Sequence, residues 1–181
     1  MEIPSDRSLV LRTKRGELEA YGDLVRRYQG AVFNVCYRML GDPHDAEDLS
    51  QETFIRVHSR LGSYDCDRPF IPWARRIAVN LCLNYINRNR RFVLPLDDEF
   101  GLSVSKERSP ERAQEDRERN ILLRKAICLL PAHYRAVIEL RHFQELSYLE
   151  ISQILNIPLS DVKSHLFRAR KSLAQRLSAD V

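Results

Sequence analysis

The distribution of apolar residues along the chain is that of a helical protein. Apolar positions recur at intervals of three and four residues along most of the sequence, which places them on one side of a helix. No stretch alternates apolar and polar residues over the length of a strand, and glycine is scarce. We therefore predict an all-α fold. The predicted helices cover residues 17–29, 31–40, 44–61, 68–91, 112–129, 132–144, 147–155 and 159–177.

The helical periodicity is lost between residues 92 and 111. This stretch holds two prolines, several serines and an acidic triplet at residues 97–99, which is the composition of a linker. We predict two small helical domains, residues 1–91 and 112–181, joined by a flexible linker over residues 92–111. A chain of 181 residues is long enough for two such domains.

The last two predicted helices have the pattern of a helix-turn-helix. The second of them carries an apolar stripe from Val162 to Leu177 at spacings of three and four residues. The turn before it contains Asn156, which accepts the left-handed backbone conformation that such a turn requires. Two short helices joined by a tight turn, with a basic second helix, are typical of proteins that read duplex DNA.

The side of this helix opposite the apolar stripe is basic. Between Lys163 and Arg176 there are five Lys or Arg residues and no acidic residue. Such side chains can contact guanine edges or phosphates, and Phe167 can contact a thymine methyl group. Charged faces are usually only solvated, but a large aromatic residue on this side favours DNA binding.

The predicted helix over residues 44–61 begins with an acidic segment. Five acidic residues and no Lys or Arg lie between Asp42 and Glu52. Acidic side chains repel DNA, and the outward face also presents Ile55, so this face suits a basic protein partner. A solvated helix N-terminus, favoured by the helix dipole, explains the acidic residues equally well.

Asparagines are unusually frequent in the predicted helix over residues 68–91, although asparagine is a mediocre helix former. Amides, arginines and an aromatic ring suit single-stranded nucleic acid, because amides pair with base edges and aromatic rings stack on unpaired bases. A polar surface helix facing water is an equally good interpretation. On a helical wheel one face collects Trp73, Arg76, Ile77, Asn80, Asn84, Asn87 and Arg91.

Composition and charge restrict the function classes. The net charge is +4, with 44% hydrophobic and 30% charged residues, which is typical of soluble globular proteins. No apolar run approaches the roughly 18 residues of a membrane span, so we expect a cytoplasmic protein without membrane insertion. The four cysteines are far apart and the five histidines are scattered. We therefore expect inert thiols, no metal site, no cofactor and no enzymatic activity.

Three segments, in this order, resemble the extracytoplasmic-function group of bacterial RNA polymerase sigma factors. They are residues 21–65, which contain DAEDLSQETF, residues 69–91, which contain WARRIAVNLCLNYINRNRR, and residues 130–173, which contain the helix-turn-helix. The resemblance covers nearly the whole chain except the N-terminal tip and the linker. It implies a factor that binds core RNA polymerase, recognises −35 and −10 promoter elements and initiates transcription by promoter melting.

The resemblance also implies roles for individual residues. The acidic helix matches the segment that docks on the clamp coiled coil of the polymerase, and the polymerase flap is a second expected contact. The asparagine helix and the loop before it match the region that captures the −10 element and holds a flipped base. The implied polymerase contacts are Asp48, Gln51, Glu52 and Ile55. The implied −10 and melting contacts are Ser63, Tyr64, Trp73, Arg76, Asn80, Asn84, Asn87, Arg88 and Arg91. The implied −35 contacts are Ser160, Lys163, Ser164, Phe167, Arg168 and Lys171.

Two departures from the family pattern bear on the −35 sequence preference. Ser160 and Asp161 stand where Gly and Thr are commoner, and His165 stands where an arginine is common. The expected partners are core RNA polymerase, duplex and single-stranded promoter DNA, and an anti-sigma factor. Two alternatives remain: a conventional helix-turn-helix regulator that acts without polymerase, and an interaction module that does not contact DNA.

Overall fold

Helices make up the regular structure in the part of the chain that is described. The computed structural model describes residues 4–89 and 110–179, and no strand occurs within them. The helices are α1 (Asp6–Lys14), α2 (Leu18–Leu40), α3 (Pro43–Arg60), α4 (Phe70–Arg88), α5 (Pro110–Cys128), α6 (Ala132–Ile138), α7 (Tyr148–Leu155) and α8 (Leu159–Ala179). The predicted all-α class with a C-terminal helix-turn-helix is confirmed. The predicted linker lies outside the described residues except for its last two positions.

Helix α1 is absent from the sequence prediction. Its N-terminus is capped by Ser5, whose side-chain oxygen accepts a hydrogen bond from the backbone N–H of Ser8 at 3.2 Å. Leu9 and Val10 are buried, and the helix packs on α2. Nine residues are too few for an apolar stripe to recur, so the cap was the signal available in the sequence.

Helix α2 is continuous where the sequence pattern predicts two helices. Gly30 lies inside it, and the space around its Cα is open. A glycine lowers helix stability by about 1 kcal/mol relative to alanine. This cost does not end α2 at Gly30, because the helix has buried residues both before and after this position. The helix ends at Gly41, which has a φ of +81° and donates its N–H to the carbonyl of Tyr37 at 2.8 Å.

Helices α2, α3 and α4 pack against one another and form the core of the N-terminal domain, α1–α4. The carboxylate of Asp42 caps α3 and accepts a hydrogen bond from the N–H of Asp45 at 2.9 Å. On the inner side of α3, Ala46, Thr53 and Val57 have no exposed surface. This burial decides which side of α3 faces outward.

The predicted helix over residues 132–144 is regular only as far as Ile138. It continues as one π-helical turn over Glu139–Phe143, in which the N–H of Gln144 donates to the carbonyl of Glu139 at 3.1 Å. Glu145 then has a φ of +57° and redirects the chain toward α7. The wider turn is invisible in the sequence because its apolar spacing resembles that of an ordinary helix.

The helix-turn-helix of α7 and α8 has the geometry that the sequence predicts. Ser147 and Glu150 form a capping box at the start of α7, each side chain bonding the other residue's backbone N–H. Asn156 ends α7 with φ 51° and ψ 48°, the left-handed conformation. On α8 the stripe that begins with Val162 and Leu166 is buried at its first turns, so the opposite side faces outward.

The C-terminal domain, α5–α8, packs directly on the N-terminal domain. Glu139 is 2% exposed, and its carboxylate accepts two hydrogen bonds from the guanidinium of Arg38, at 2.6 and 2.9 Å. The buried Arg135 donates to the carbonyls of Met39 and Leu130, the latter at 2.9 Å. A bidentate carboxylate pair and a cross-domain backbone contact therefore hold the two domains together.

Candidate polymerase and promoter interfaces

The acidic face of α3 brings together the residues predicted to bind polymerase. Asp48, Gln51 and Ile55 are exposed, and Ile55 exposes 63% of its surface. Glu52 is half-buried, and its carboxylate lies 2.8 Å from the Nε of Arg56. The face therefore combines a large exposed apolar side chain with the exposed carboxylate of Asp48 and the half-buried carboxylate of Glu52.

A groove between α2 and α3 borders this face. Its volume is about 740 Å³, and most of the surface lining it is apolar, including Val25, Phe33, Phe54 and Ile55. The exposed isoleucine is thus one edge of a larger apolar concavity. Such a surface is suited to the side chains of a helix packed across it.

The face of α4 that the helical wheel defines is exposed at its asparagines, whereas Trp73 and Arg76 are half-buried. Asn80, Asn84, Asn87 and Arg88 are all exposed. Ile77, which the wheel placed on the same face, is only 7% exposed, because α3 packs on α4 and covers it. The prediction that Ile77 faces outward is therefore wrong. Arg91 lies outside the described residues.

A polar cavity of about 290 Å³ lies between α3 and α4 beside these asparagines. Arg56 and Arg60 line it from α3, whereas Asn80 and Asn84 line it from α4. Neither arginine stands out in the sequence as a candidate DNA contact. Their spacing of four residues places them on one edge of α3, but only the packing of the two helices shows that this edge meets the asparagines.

The loop between α3 and α4 is held in place by aromatic packing. Tyr64 is 6% exposed and stacks on Trp73 with ring centroids 4.4 Å apart. Its hydroxyl donates to the carbonyl of Arg68, and burial raises the pKa of this phenol to about 12. The ammonium of Lys14 donates to the carbonyl of Tyr64 at 2.7 Å, while Ser63 is exposed. Tyr64 therefore shapes the loop from inside, and Ser63 is available to a ligand.

Arg76 faces the C-terminal domain in this arrangement. Its guanidinium lies 3.7 Å from the carboxylate of Glu150 at the start of α7, and its buried Nε has no hydrogen-bond partner. The backbone N–H of Ser147, followed by its hydroxyl, lowers the pKa of Glu150. Glu150 therefore stays ionised beside Arg76 at neutral pH.

The outward face of α8 contains all six residues predicted to contact duplex DNA. Phe167 exposes 69% of its surface, although it is a large aromatic residue. His165 is half-buried instead, with its ring 4.8 Å from that of His133 and 5.4 Å from that of Tyr134. The exposed residues on this face are Ser160, Lys163, Ser164, Phe167, Arg168 and Lys171.

The described residues hold neither a cluster of metal ligands nor a membrane-spanning helix. Residues 4–89 and 110–179 contain no group of three or more His, Cys, Asp or Glu that could hold a metal ion. None of the helices in these two ranges is both long and apolar enough to cross a bilayer. Of the thiols, those of Cys36, Cys82 and Cys128 are buried and that of Cys66 is half-buried.

Comparison with known proteins identifies the family. Residues 24–92 match the model of Sigma-70 region 2, and residues 120–173 match that of Sigma-70 region 4. The chain is 38% identical over 177 residues to the ECF RNA polymerase sigma factor SigW of Bacillus subtilis, covering 93% of this chain and 94% of that protein. It is 35% identical over 180 residues to the RNA polymerase sigma-H factor of Pseudomonas aeruginosa, covering 95% and 93%.

A solved structure has a similar fold over nearly the whole chain. It is that of CnrH in complex with the cytosolic domain of CnrY, which has a TM-score of 0.65 and 26% identity, covering 97% of this chain and 99% of that one. The two region matches and the sequence similarity along nearly the whole length point to one family. The chain therefore belongs to the extracytoplasmic-function sigma factors of RNA polymerase.

Proposed function

We propose that three separate faces of this sigma factor bind three different ligands: core RNA polymerase, the −10 element and the −35 element. The factor binds core RNA polymerase, recognises the −35 and −10 elements of promoters and initiates transcription by melting the DNA. In the proposal the N-terminal domain, within residues 1–91, binds polymerase and the −10 element, and the C-terminal domain, within residues 112–181, binds the −35 element. The observation that carries the proposal is the chemical difference between the outward faces of α3, α4 and α8, which are acidic, amide-rich and basic.

The face of α3 binds the clamp coiled coil of the polymerase in this proposal. Asp48, Gln51 and Glu52 supply acceptors for a basic partner, and Ile55 supplies an exposed apolar anchor. Apolar anchors surrounded by polar residues are typical of the centre of protein interfaces. The polymerase flap is the second contact, made by the C-terminal domain.

The face of α4 and the loop before it bind the −10 element. Asn80, Asn84 and Asn87 present amides that can pair with the edges of unstacked bases, and Arg88 attracts phosphates. Ser63 lies on the exposed side of the loop, whereas Tyr64 and Trp73 act from inside by fixing its shape. Arg76 and Arg91 complete the set proposed from the sequence.

We expect Asn80→Ala to slow promoter opening about tenfold while the affinity for core polymerase stays unchanged. Loss of a hydrogen bond to a captured base removes about 1–3 kcal/mol, because the other partner is left unpaired. Permanganate reactivity of thymines in the −10 region measures opening, and Asn89→Ala is the matched control because Asn89 lies beyond the end of α4. Equal loss of opening and polymerase binding would make Asn80 structural.

The face of α8 reads the −35 element as duplex DNA. Lys163, Ser164 and Arg168 are exposed polar residues within one turn and a half of helix, and Phe167 lies among them. A helix of this kind fits the major groove with its first turns toward the base edges. Ser160 and Lys171 border the set at either end.

We expect Arg168→Ala to weaken binding to a consensus −35 element by about 1–3 kcal/mol and to relax preference at one base position, as for an arginine that contacts a base. Initiation from promoters with each −35 position varied in turn measures this preference. Arg176→Ala, which removes the same charge farther along α8, is the control and should leave the preference intact. An unchanged preference in Arg168→Ala would remove this residue from the reading set.

Regulation and location follow from the same proposal. The related CnrH forms a complex with the cytosolic domain of CnrY. We infer that this chain also has a protein partner, an anti-sigma factor, which covers its polymerase-binding or DNA-binding faces. The factor acts in the cytoplasm, where promoters and polymerase are found. It directs the polymerase and has no catalytic activity of its own.

A further inference from the structure

The polar cavity between α3 and α4 has the composition of an anion-binding site. Two arginines and two asparagines line a volume of about 290 Å³ together with Ile77 and Leu81, and no acidic residue lines it. Guanidinium groups match the geometry of phosphate oxygens, and amide N–H groups add neutral donors. Because Asn80 and Asn84 also belong to the proposed −10 face, a strand bound there would carry its phosphates past Arg56 and Arg60.

One of the two arginines is already occupied by a residue of another face. The Nε of Arg56 lies 2.8 Å from the carboxylate of Glu52, one helical turn earlier on α3. The Glu52 side chain is 38% exposed and belongs to the proposed polymerase-binding face. Arg60, by contrast, has no carboxylate within ion-pair distance among the residues that the structure describes. The carboxylate of Glu52 therefore connects the proposed polymerase-binding face of α3 with the edge of α3 that lines the cavity.

We propose that this cavity binds a phosphate group of single-stranded promoter DNA through Arg56 and Arg60, and that Glu52 competes for Arg56 until polymerase engages Glu52. The inference rests on the proposed function of the α3 and α4 faces. A guanidinium whose Nε is paired with a carboxylate presents fewer donors to a phosphate, so release of Glu52 strengthens DNA binding. Coupling between two ligands is reciprocal, so bound DNA also favours the form of Glu52 that polymerase takes up.

The arginine part of the proposal is tested on the free, full-length protein with fluorescein-labelled (dT)12 and anisotropy measured over a series of salt concentrations. We expect Arg60→Ala to weaken binding about three- to tenfold at low salt and to reduce the slope of log affinity against log salt by about 0.7, the value for one phosphate contact on a single strand. Arg26→Ala, an exposed arginine on α2, should leave the slope unchanged. An unchanged slope in Arg60→Ala would overturn the assignment of the cavity.

The competition is tested with the same probe. We expect Glu52→Gln to tighten (dT)12 binding about two- to threefold, the effect of breaking an exposed ion pair within a helix. Glu47→Gln removes the same charge from an exposed position of α3 and should give a smaller gain. In an Arg56→Gln background the gain from Glu52→Gln should vanish. An equal gain from both single variants, or a gain that persists without Arg56, would overturn the competition.

These binding assays are carried out without polymerase, so a failure of the cavity proposal can be distinguished from a failure of the proposed polymerase-binding function. If Arg60→Ala and Glu52→Gln behave as expected while the α3 face fails to bind polymerase, the anion site stands and the role of polymerase in releasing Glu52 is wrong. If the α3 face binds polymerase but neither Arg60→Ala nor Glu52→Gln changes (dT)12 binding, the cavity proposal alone is wrong. Circular dichroism of each variant should show the helical content of the wild-type protein.

Discussion

Ile55→Arg should reduce the affinity for core RNA polymerase at least about a hundredfold, or about 2.8 kcal/mol. Ile55 is a large apolar residue with 63% of its surface exposed, at the edge of an apolar groove and among carboxylates. In the proposed complex the substitution both removes the apolar anchor and places a positive charge against a basic partner. Competition for labelled factor on purified core polymerase measures the loss.

A matched control for this variant is Leu18→Arg. Leu18, at the start of α2, is also a large apolar residue and exposes 73% of its surface, so it tests whether any exposed arginine substitution weakens binding. Both side chains face outward, so the folded domain should tolerate either change. Wild-type affinity in Ile55→Arg, or an equal loss in Leu18→Arg, would contradict the assignment of the α3 face.

Glu139→Gln should weaken the packing of the two domains by about 3–5 kcal/mol, because removing one member of a buried ion pair leaves the other charge uncompensated. Glu139 is 2% exposed, and Arg38, its bidentate partner, has 15% of its side chain exposed. We expect the C-terminal domain to separate from α2 without unfolding. Small-angle scattering should show a larger radius of gyration than that of the wild type, and the two domains should unfold at more widely separated denaturant concentrations.

Two further variants make the interpretation specific to this pair. Glu145→Gln, at an exposed position six residues later, should leave both scattering and unfolding unchanged. The double variant Arg38→Met and Glu139→Leu should recover most of the packing, since apolar side chains of similar volume can replace a buried pair. The ring of Phe143, which lies 4.3 Å below the Arg38 guanidinium, offers them an apolar neighbour. Unchanged scattering in Glu139→Gln would mean that the pair does not hold the domains together.

Much of the helix-turn-helix could be predicted from the sequence, because α7 and α8 are amphipathic and the turn between them carries strong signals. Asn156 adopts the left-handed conformation expected of it, and the apolar stripe of α8 is buried while Phe167 and Arg168 face outward. On α4 the wheel placed Asn80 and Asn84 on the exposed side for the same reason. A helical period fixes the face of a residue once the helix itself is correctly assigned.

Features that depend on contacts between helices could not be predicted in this way. The wheel misplaced Ile77, because whether its side chain is covered depends on α3. Tyr64 carries no sequence signal that it would stack on Trp73 and be buried. The pairing of Arg38 with Glu139 joins residues 101 positions apart, and periodicity contains no information about such contacts.

The same limit explains why the polar cavity was missed. In the sequence, Arg56 and Arg60 are ordinary charged residues near the end of a predicted helix. Their acidic neighbour Glu52 belongs to a segment that favours a basic protein partner. Only the packing of α3 on α4 places these arginines beside Asn80 and Asn84. The function of a charged residue depends on which residues face it across a helix interface. Those neighbours are set by the tertiary structure.

The most direct measurement is transcription from a library of randomised promoters by purified core RNA polymerase with this protein as the only added factor. We expect initiation at defined positions downstream of two conserved elements, separated by a constant spacing, and no such transcripts with the Ile55→Arg variant. Binding to duplex DNA without initiation would identify a conventional helix-turn-helix regulator. Initiation that is equally efficient with Ile55→Arg would contradict the division of labour among the three faces.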